Sequence, residues 1–204
     1  MVGSADGHLL ATASEDNTVK FYDIVNFDMF LMLKLDFTPS VCEWLHPVGS
    51  PTPTIAVADA NGPLVRIYGT GGSNVPLHTI ELHSYTVTSI VRNPRFDVVL
   101  STDEKGMIEF WSAKDYKYPK ILKFKSKIET DLYDFVKCKA VPWGVSFSPN
   151  GQLFAAMASD RKVRIYRVAT GKLHKVYDES LVSVRNPPPS PSAPLSNQDS
   201  AREH

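Results

Sequence analysis

Six residues between positions 161 and 175 carry a positive charge: Arg161, Lys162, Arg164, Arg167, Lys172 and Lys175. A cluster of this kind can hold an acidic partner or an RNA backbone. Lys162 and Arg164 alternate with Val163 and Ile165, however, and that spacing favours a solvated strand face. His78 and His83 flank Glu81 and could suggest a metal site. Five residues apart on a strand, the two imidazoles point to opposite faces, so no shared metal is expected. Gly69-Thr70-Gly71-Gly72-Ser73 is glycine-rich but lacks the Lys-Ser/Thr of a phosphate loop and precedes no helix, so it is read as a loop between strands. No Gly-x-Ser-x-Gly elbow is present. Cys42 and Cys138 have no Cys-x-x-Cys partner and are expected to be buried small hydrophobes. No catalytic, cofactor-binding or metal-ligating residue is assigned.

Composition agrees with that negative reading. Lys plus Arg and Asp plus Glu both number 22 among 204 residues, giving a formal net charge of zero. Such a chain is not built to grip nucleic acid through a general phosphate-neutralising surface, and no direct sequence-specific nucleic-acid binding is expected. The longest apolar run, Met29 to Leu35, is interrupted by Lys34 and falls far short of the roughly 20 residues that span a bilayer. The first residues show neither the basic nor the apolar region of a secretory signal. Two cysteines suit a reducing compartment.

The elements that position any functional residue repeat along the chain. Four segments share one form: a β-rich run, a turn of small or acidic residues, then an alternating run closed by an aromatic. The closing aromatics are Tyr22, Tyr68, Trp111 and Tyr166, spaced by 46, 43 and 55 residues. The first two spacings are close to the ~40–45 residues of a four-stranded propeller blade. Val19-Lys20-Phe21, Val65-Arg66-Ile67 and Val163-Arg164-Ile165 alternate as strands do. Ser148-Pro149-Asn150-Gly151 lies between two strand-like runs and is expected to be a hairpin turn. Residues 130–137 instead place Leu132, Phe135 and Val136 at helical spacing behind a Thr or Asp cap, so a short helical insert is expected there.

This pattern resembles WD40 repeats. In that family an aspartate six residues before the closing aromatic anchors the turn between the second and third strands. The offset selects Asp16 and Asp160, and it selects Gly62 and Lys105 where the family aspartate is missing. His83 stands where the family histidine precedes the third repeat, and Trp111 is the family tryptophan. The resemblance therefore gives Asp16, Asp160, His83 and Trp111 structural roles. It implies an all-β, partial propeller of about four four-stranded antiparallel blades. Repeats are placed at about 1–36, 37–82, 83–125 and 138–178, and the first is expected to lack its innermost strand.

Further stretches resemble the peptidyl-prolyl isomerases that carry WD repeats. They include Cys42-Glu43-Trp44, Thr130-Asp131-Leu132-Tyr133-Asp134-Phe135, Lys137-Cys138-Lys139-Ala140 and Asp178-Glu179-Ser180-Leu181. The resemblance covers 1–181, and no segment resembles the family's cyclophilin domain. It implies a nuclear, splicing-associated interaction scaffold without isomerase activity of its own, binding proteins or peptides and needing no cofactor. Two alternatives stay open: an isomerase whose catalytic domain is missing here, and a non-functional truncated product. Contacts are expected at Asp103, Glu104, Lys105 and Arg161. Four blades cannot close a ring, so self-association through the open edges is a further expectation. Residues 182–204, with five of the 15 prolines, are expected to be disordered, with two Pro-x-x-Pro motifs and Ser190-Pro191 as candidate docking and phosphorylation points.

Overall fold

The computed structural model describes residues 1–48 and 50–180. The expectations for the Pro-rich tail lie outside them. Alternating side chains make the strands, and tight turns return each strand beside its predecessor, so every pairing is antiparallel and sequential. The first sheet holds β1 (Val2–Gly3), β2 (Leu9–Ser14), β3 (Thr18–Asp23) and β4 (Asp28–Lys34). The second holds β5 (Pro39–Trp44), β6 (Thr54–Asp59), β7 (Val65–Gly69) and β8 (His78–Ile80). The third holds β9 (Val87–Arg92), β10 (Val99–Asp103) and β11 (Ile108–Trp111). The fourth holds β12 (Pro142–Phe147), β13 (Leu153–Ala158), β14 (Lys162–Arg167) and β15 (Leu173–Asp178). The glycine-rich run starts at Gly69, the last residue of β7, and continues into the loop before β8, and Ser148 to Gly151 form the β12–β13 turn.

The sheets stack in chain order. Strand β5 packs against β1 and β2, and β9 packs against both β5 and β12. The first strand of each sheet therefore lies toward the middle of an arc, as in a propeller. Three apolar clusters fill the gaps between sheets. Phe21, Leu33 and Trp44 lie between the first and second, Ile67, Val99 and Trp111 between the second and third, and Phe110, Phe154 and Tyr166 between the third and fourth.

Several local expectations change. The innermost strand of the first sheet is present as the stub β1, pairing Val2 with Ala11 and Gly3 with Leu10. The third sheet has three strands. Beyond Trp111 the chain meets Pro119, which has no N–H to give, and the Lys123 N–H bonds Ala169, in the connection between β14 and β15, instead of β11. Leu122 and Phe124 from this irregular stretch still plug the core. The helical insert is shorter than 130–137: a 3-10 turn at Lys127–Glu129 precedes a helix α1 at Asp134–Cys138. Thr130 does not cap α1. Its hydroxyl donates to the Lys127 carbonyl and accepts from the Leu132 N–H, shaping the approach to the helix. Helix α1 lies close over Gly106, where a Cβ would fall 2.9 Å from Phe135.

Strand β14 also departs from the solvated face expected of it. Arg164 is buried, paired with Asp160 and placed over the Phe135 ring at 4.8 Å, while Val163 and Ile165 are only half-buried on the other face. The alternation is real, but Arg164 faces inward because Asp160 and an aromatic face are there to receive it, while Lys162 stays half-exposed beside Asp178. Cys42 is buried as expected; Cys138, at the exposed end of α1, is not.

Candidate interaction rims

Each sheet has two ends. The turns joining second to third strands share one rim of the arc. The connections joining first to second and third to fourth strands share the other.

On the first rim, one aspartate anchors every turn by accepting the N–H two residues ahead. Asp16 accepts from Thr18 (3.0 Å), Asp59 from Asn61 (2.9 Å), Asp103 from Lys105 (3.0 Å) and Asp160 from Lys162 (3.3 Å). Asp16 also takes the Thr18 hydroxyl, and Asp160 takes two bonds from the Arg164 guanidinium. Hydrogen bonding to Thr18 holds the Asp16 carboxyl below the usual range, and the Arg164 bonds do the same for Asp160. Asp59 and Asp103 do the work in the two turns where the six-residue offset pointed to Gly62 and Lys105. These turns are longer, so the anchoring residue sits further from the closing aromatic.

The third sheet carries an additional chain of buried polar groups. Trp111 Nε1–H donates to Ser101 Oγ (3.2 Å), Ser101 lies 2.8 Å from His83 Nε2, and His83 Nδ1 lies 3.1 Å from Asp103. Burial opposes ionisation of Asp103, but bonds from His83 and the Met107 N–H outweigh it and hold its carboxyl low. An ionised Asp103 accepts from the His83 Nδ1–H. The order Ser, His, Asp resembles a hydrolase triad, but Ser101 is 1% exposed and no substrate atom can reach its oxygen. The geometry fastens His83, which precedes β9, to β10 and β11.

Of the expected contact residues, Asp103 is corrected. At 1% exposure, with its carboxylate committed to His83 and the turn backbone, it cannot meet a partner. Glu104, Lys105 and Arg161 are exposed at turn tips, and the Lys105 ammonium sits 5.1 Å from the centre of the Tyr85 ring. His78 is remote in role from His83, stacking on Tyr116 with 4.5 Å between ring centres. Among the described residues, no group of three His, Cys, Asp or Glu side chains could hold a metal, and no helix is long and apolar enough to cross a membrane. Sequence reasoning missed Asp59 and Ser101; an aspartate two residues before each turn's strand-directed N–H is the signal that would have found Asp59.

The family pattern described as "WD domain, G-beta repeat" matches residues 1–23 and 134–167. These spans contain the anchored turns of Asp16 and Asp160. The chain carries WD40 repeats. It is 44% identical over 181 residues to the human "Peptidylprolyl isomerase domain and WD repeat-containing protein 1", a match covering 87% of this chain and 28% of that protein. Arabidopsis thaliana "Peptidyl-prolyl cis-trans isomerase CYP71" is 40% identical over 88% of this WD40 chain and 29% of its own length. The chain thus spans somewhat more than a quarter of these relatives and corresponds to their WD part. Solved structures at 14% and 16% identity show the fold alone. A computationally designed protein, Ika8, superposes with a TM-score of 0.60 over 84% of this chain and 46% of its own. A chain of a mitotic checkpoint complex gives 0.64 over 87% and 49%. The WD40 chain is a partial propeller.

Proposed function

We propose that this WD40 chain is a protein-interaction scaffold acting in nuclear, splicing-associated complexes, with Glu104, Lys105 and Arg161 among its contacts. The observation that carries the reading is the set of aspartate-anchored turns on one rim, which hold exposed charged tips in fixed positions on the arc of sheets. The relatives' names associate the whole proteins with prolyl isomerisation. In this reading their WD part docks and does not catalyse, so the 204-residue chain leaves the isomerisation rate of a test prolyl peptide at background. Tagged chain expressed in nuclei should co-purify splicing ribonucleoproteins several-fold better than a folded K105E/R161E variant. Equal recovery by both would remove the turn tips from the contact set.

The same chain is proposed to self-associate through its two terminal sheet faces. Met29 and Met32 are exposed on the first sheet, and Tyr177 is exposed beside half-buried Val163 on the fourth. Apolar surface of this kind favours covering by another sheet.

A further inference from the structure

The rim opposite the turn tips contains a cavity of about 640 Å³ between the second and third sheets. The β5–β6 connection supplies His46, the β9–β10 hairpin supplies Arg92, Arg95 and Phe96, and the stretch after β11 supplies Lys114. His46 is 5% exposed, yet its Nδ1 has no hydrogen-bond partner, and the buried Nε of Arg92 has none either. Both atoms are shut off from solvent, but the side chains that carry them form part of the cavity wall.

The surrounding charge is one-sided. Two adjoining cavities, sharing Phe96 with the first, continue along this rim to the fourth sheet and add Lys120, Lys123 and Arg167. Across the three, six Lys or Arg side chains face only Asp97 and Asp115, in a chain whose net charge is zero. Both aspartates are engaged, Asp97 by the Ser112 hydroxyl and Asp115 by the Lys117 N–H. Glu43 accepts from the Arg92 backbone N–H at 3.3 Å, and its charge and that of Asp97 are felt at the Arg92 guanidinium without forming an ion pair with it. Among the described residues, none of the six cations forms an ion pair, whereas Arg66, Lys127, Arg164 and Lys172 elsewhere all do.

We propose that this rim is a second docking surface that takes an acidic peptide stretch of a partner protein. One carboxylate enters the cavity beside Arg92 and His46; further carboxylates run along Arg95, Lys114 and Lys123. The cations are divided among three separate recesses with Asp97 and Asp115 set among them, which suits spaced side-chain carboxylates better than a continuous phosphate backbone. The inference shares with the scaffold reading only the existence of a protein partner, and its residues are disjoint from the turn tips.

Fluorescein-labelled octaglutamate titrated into the full 204-residue chain at low salt tests it by anisotropy. Saturable binding is expected, absent with octaglutamine, weakened at least tenfold by R95E/K114E and changed less than twofold by K105E/R161E. The milder R95Q/K114Q variant, with an unchanged unfolding midpoint, should weaken binding at least threefold and keeps the test valid should charge reversal disturb the hairpin. The His46 ring nitrogen resonances should shift on binding. The proposal is overturned by no saturable binding, by equal losses in the two charge-reversal variants, by tighter binding of oligouridylate of equal charge, or by unmoved His46 resonances. Octaglutamate binding that survives alongside failed nuclear capture would separate this surface from the turn-tip reading.

Discussion

Asp103 and Glu43 are both carboxyls removed from water, and their surroundings push them in opposite directions. Burial works against the charge on each. At Asp103, hydrogen bonds from His83 and Met107 win, so its folded pKa lies below the ordinary 3.8. The resulting stabilisation is present at neutral pH and is lost as pH falls through the folded value. D103N should therefore cost about 2–4 kcal/mol in urea unfolding at pH 7, a cost that shrinks as pH is lowered below 3.8. At Glu43, burial wins over the Arg92 N–H and charge, raising the pKa to about 7. Its sign is reversed: the protonated form suits the fold, so stability is full below about 4.5 and declines as pH rises through about 7. E43Q should gain on the order of 2 kcal/mol at pH 8 and almost nothing at pH 4, read as a flattened stability–pH curve. An unchanged slope would mean that Glu43 is solvated in the folded chain.

Elements are fastened to one another by a few polar residues as well as by apolar packing. Asn93 is fully buried; its amide donates to the Gly151 carbonyl at 2.8 Å, and its oxygen accepts from the N–H groups of Arg95 and Phe96. This one side chain shapes the β9–β10 hairpin and pins it to the β12–β13 hairpin. Gly151 has a φ of 69°, and a Cβ there would fall 2.4 Å from the Asn93 oxygen. N93A and G151A are each expected to lower unfolding stability by about 2–3 kcal/mol, with a double variant losing clearly less than the sum because both break one contact. Additive losses would show the contact to be incidental. Strand alternation made most of these elements legible before any coordinates, since period-2 patterns report which face is covered. Three features were not legible in the same way. Turn length varies, so a fixed offset found Asp16 and Asp160 but missed Asp59 and Asp103. The fourth strand of the third sheet is lost through a hydrogen bond to Ala169, 46 residues from Lys123, which local pattern cannot register. Arg164 faces inward because of partners that only the folded chain assembles.

For the whole molecule, four stacked sheets form an arc whose two end faces retain apolar side chains. If these faces pair between copies, scattering mass for the purified chain should rise with concentration. An I165E substitution on the half-buried outer face of β14 should then lower the apparent association constant at least tenfold with little change in the unfolding midpoint. A concentration-independent monomer would withdraw the self-association reading. The two rims of the arc differ in how freely they can change. On the turn rim, the aspartate side chain anchors the backbone path, while the side chains of Glu104 and Lys105 just beyond it project outward. Such an arrangement separates inheritance of shape from inheritance of address: Glu104 and Lys105 can be exchanged for other side chains without relearning the fold, whereas Arg161, at a φ of 59°, admits fewer, so descendants of one scaffold can acquire new associates by rewriting a handful of codons.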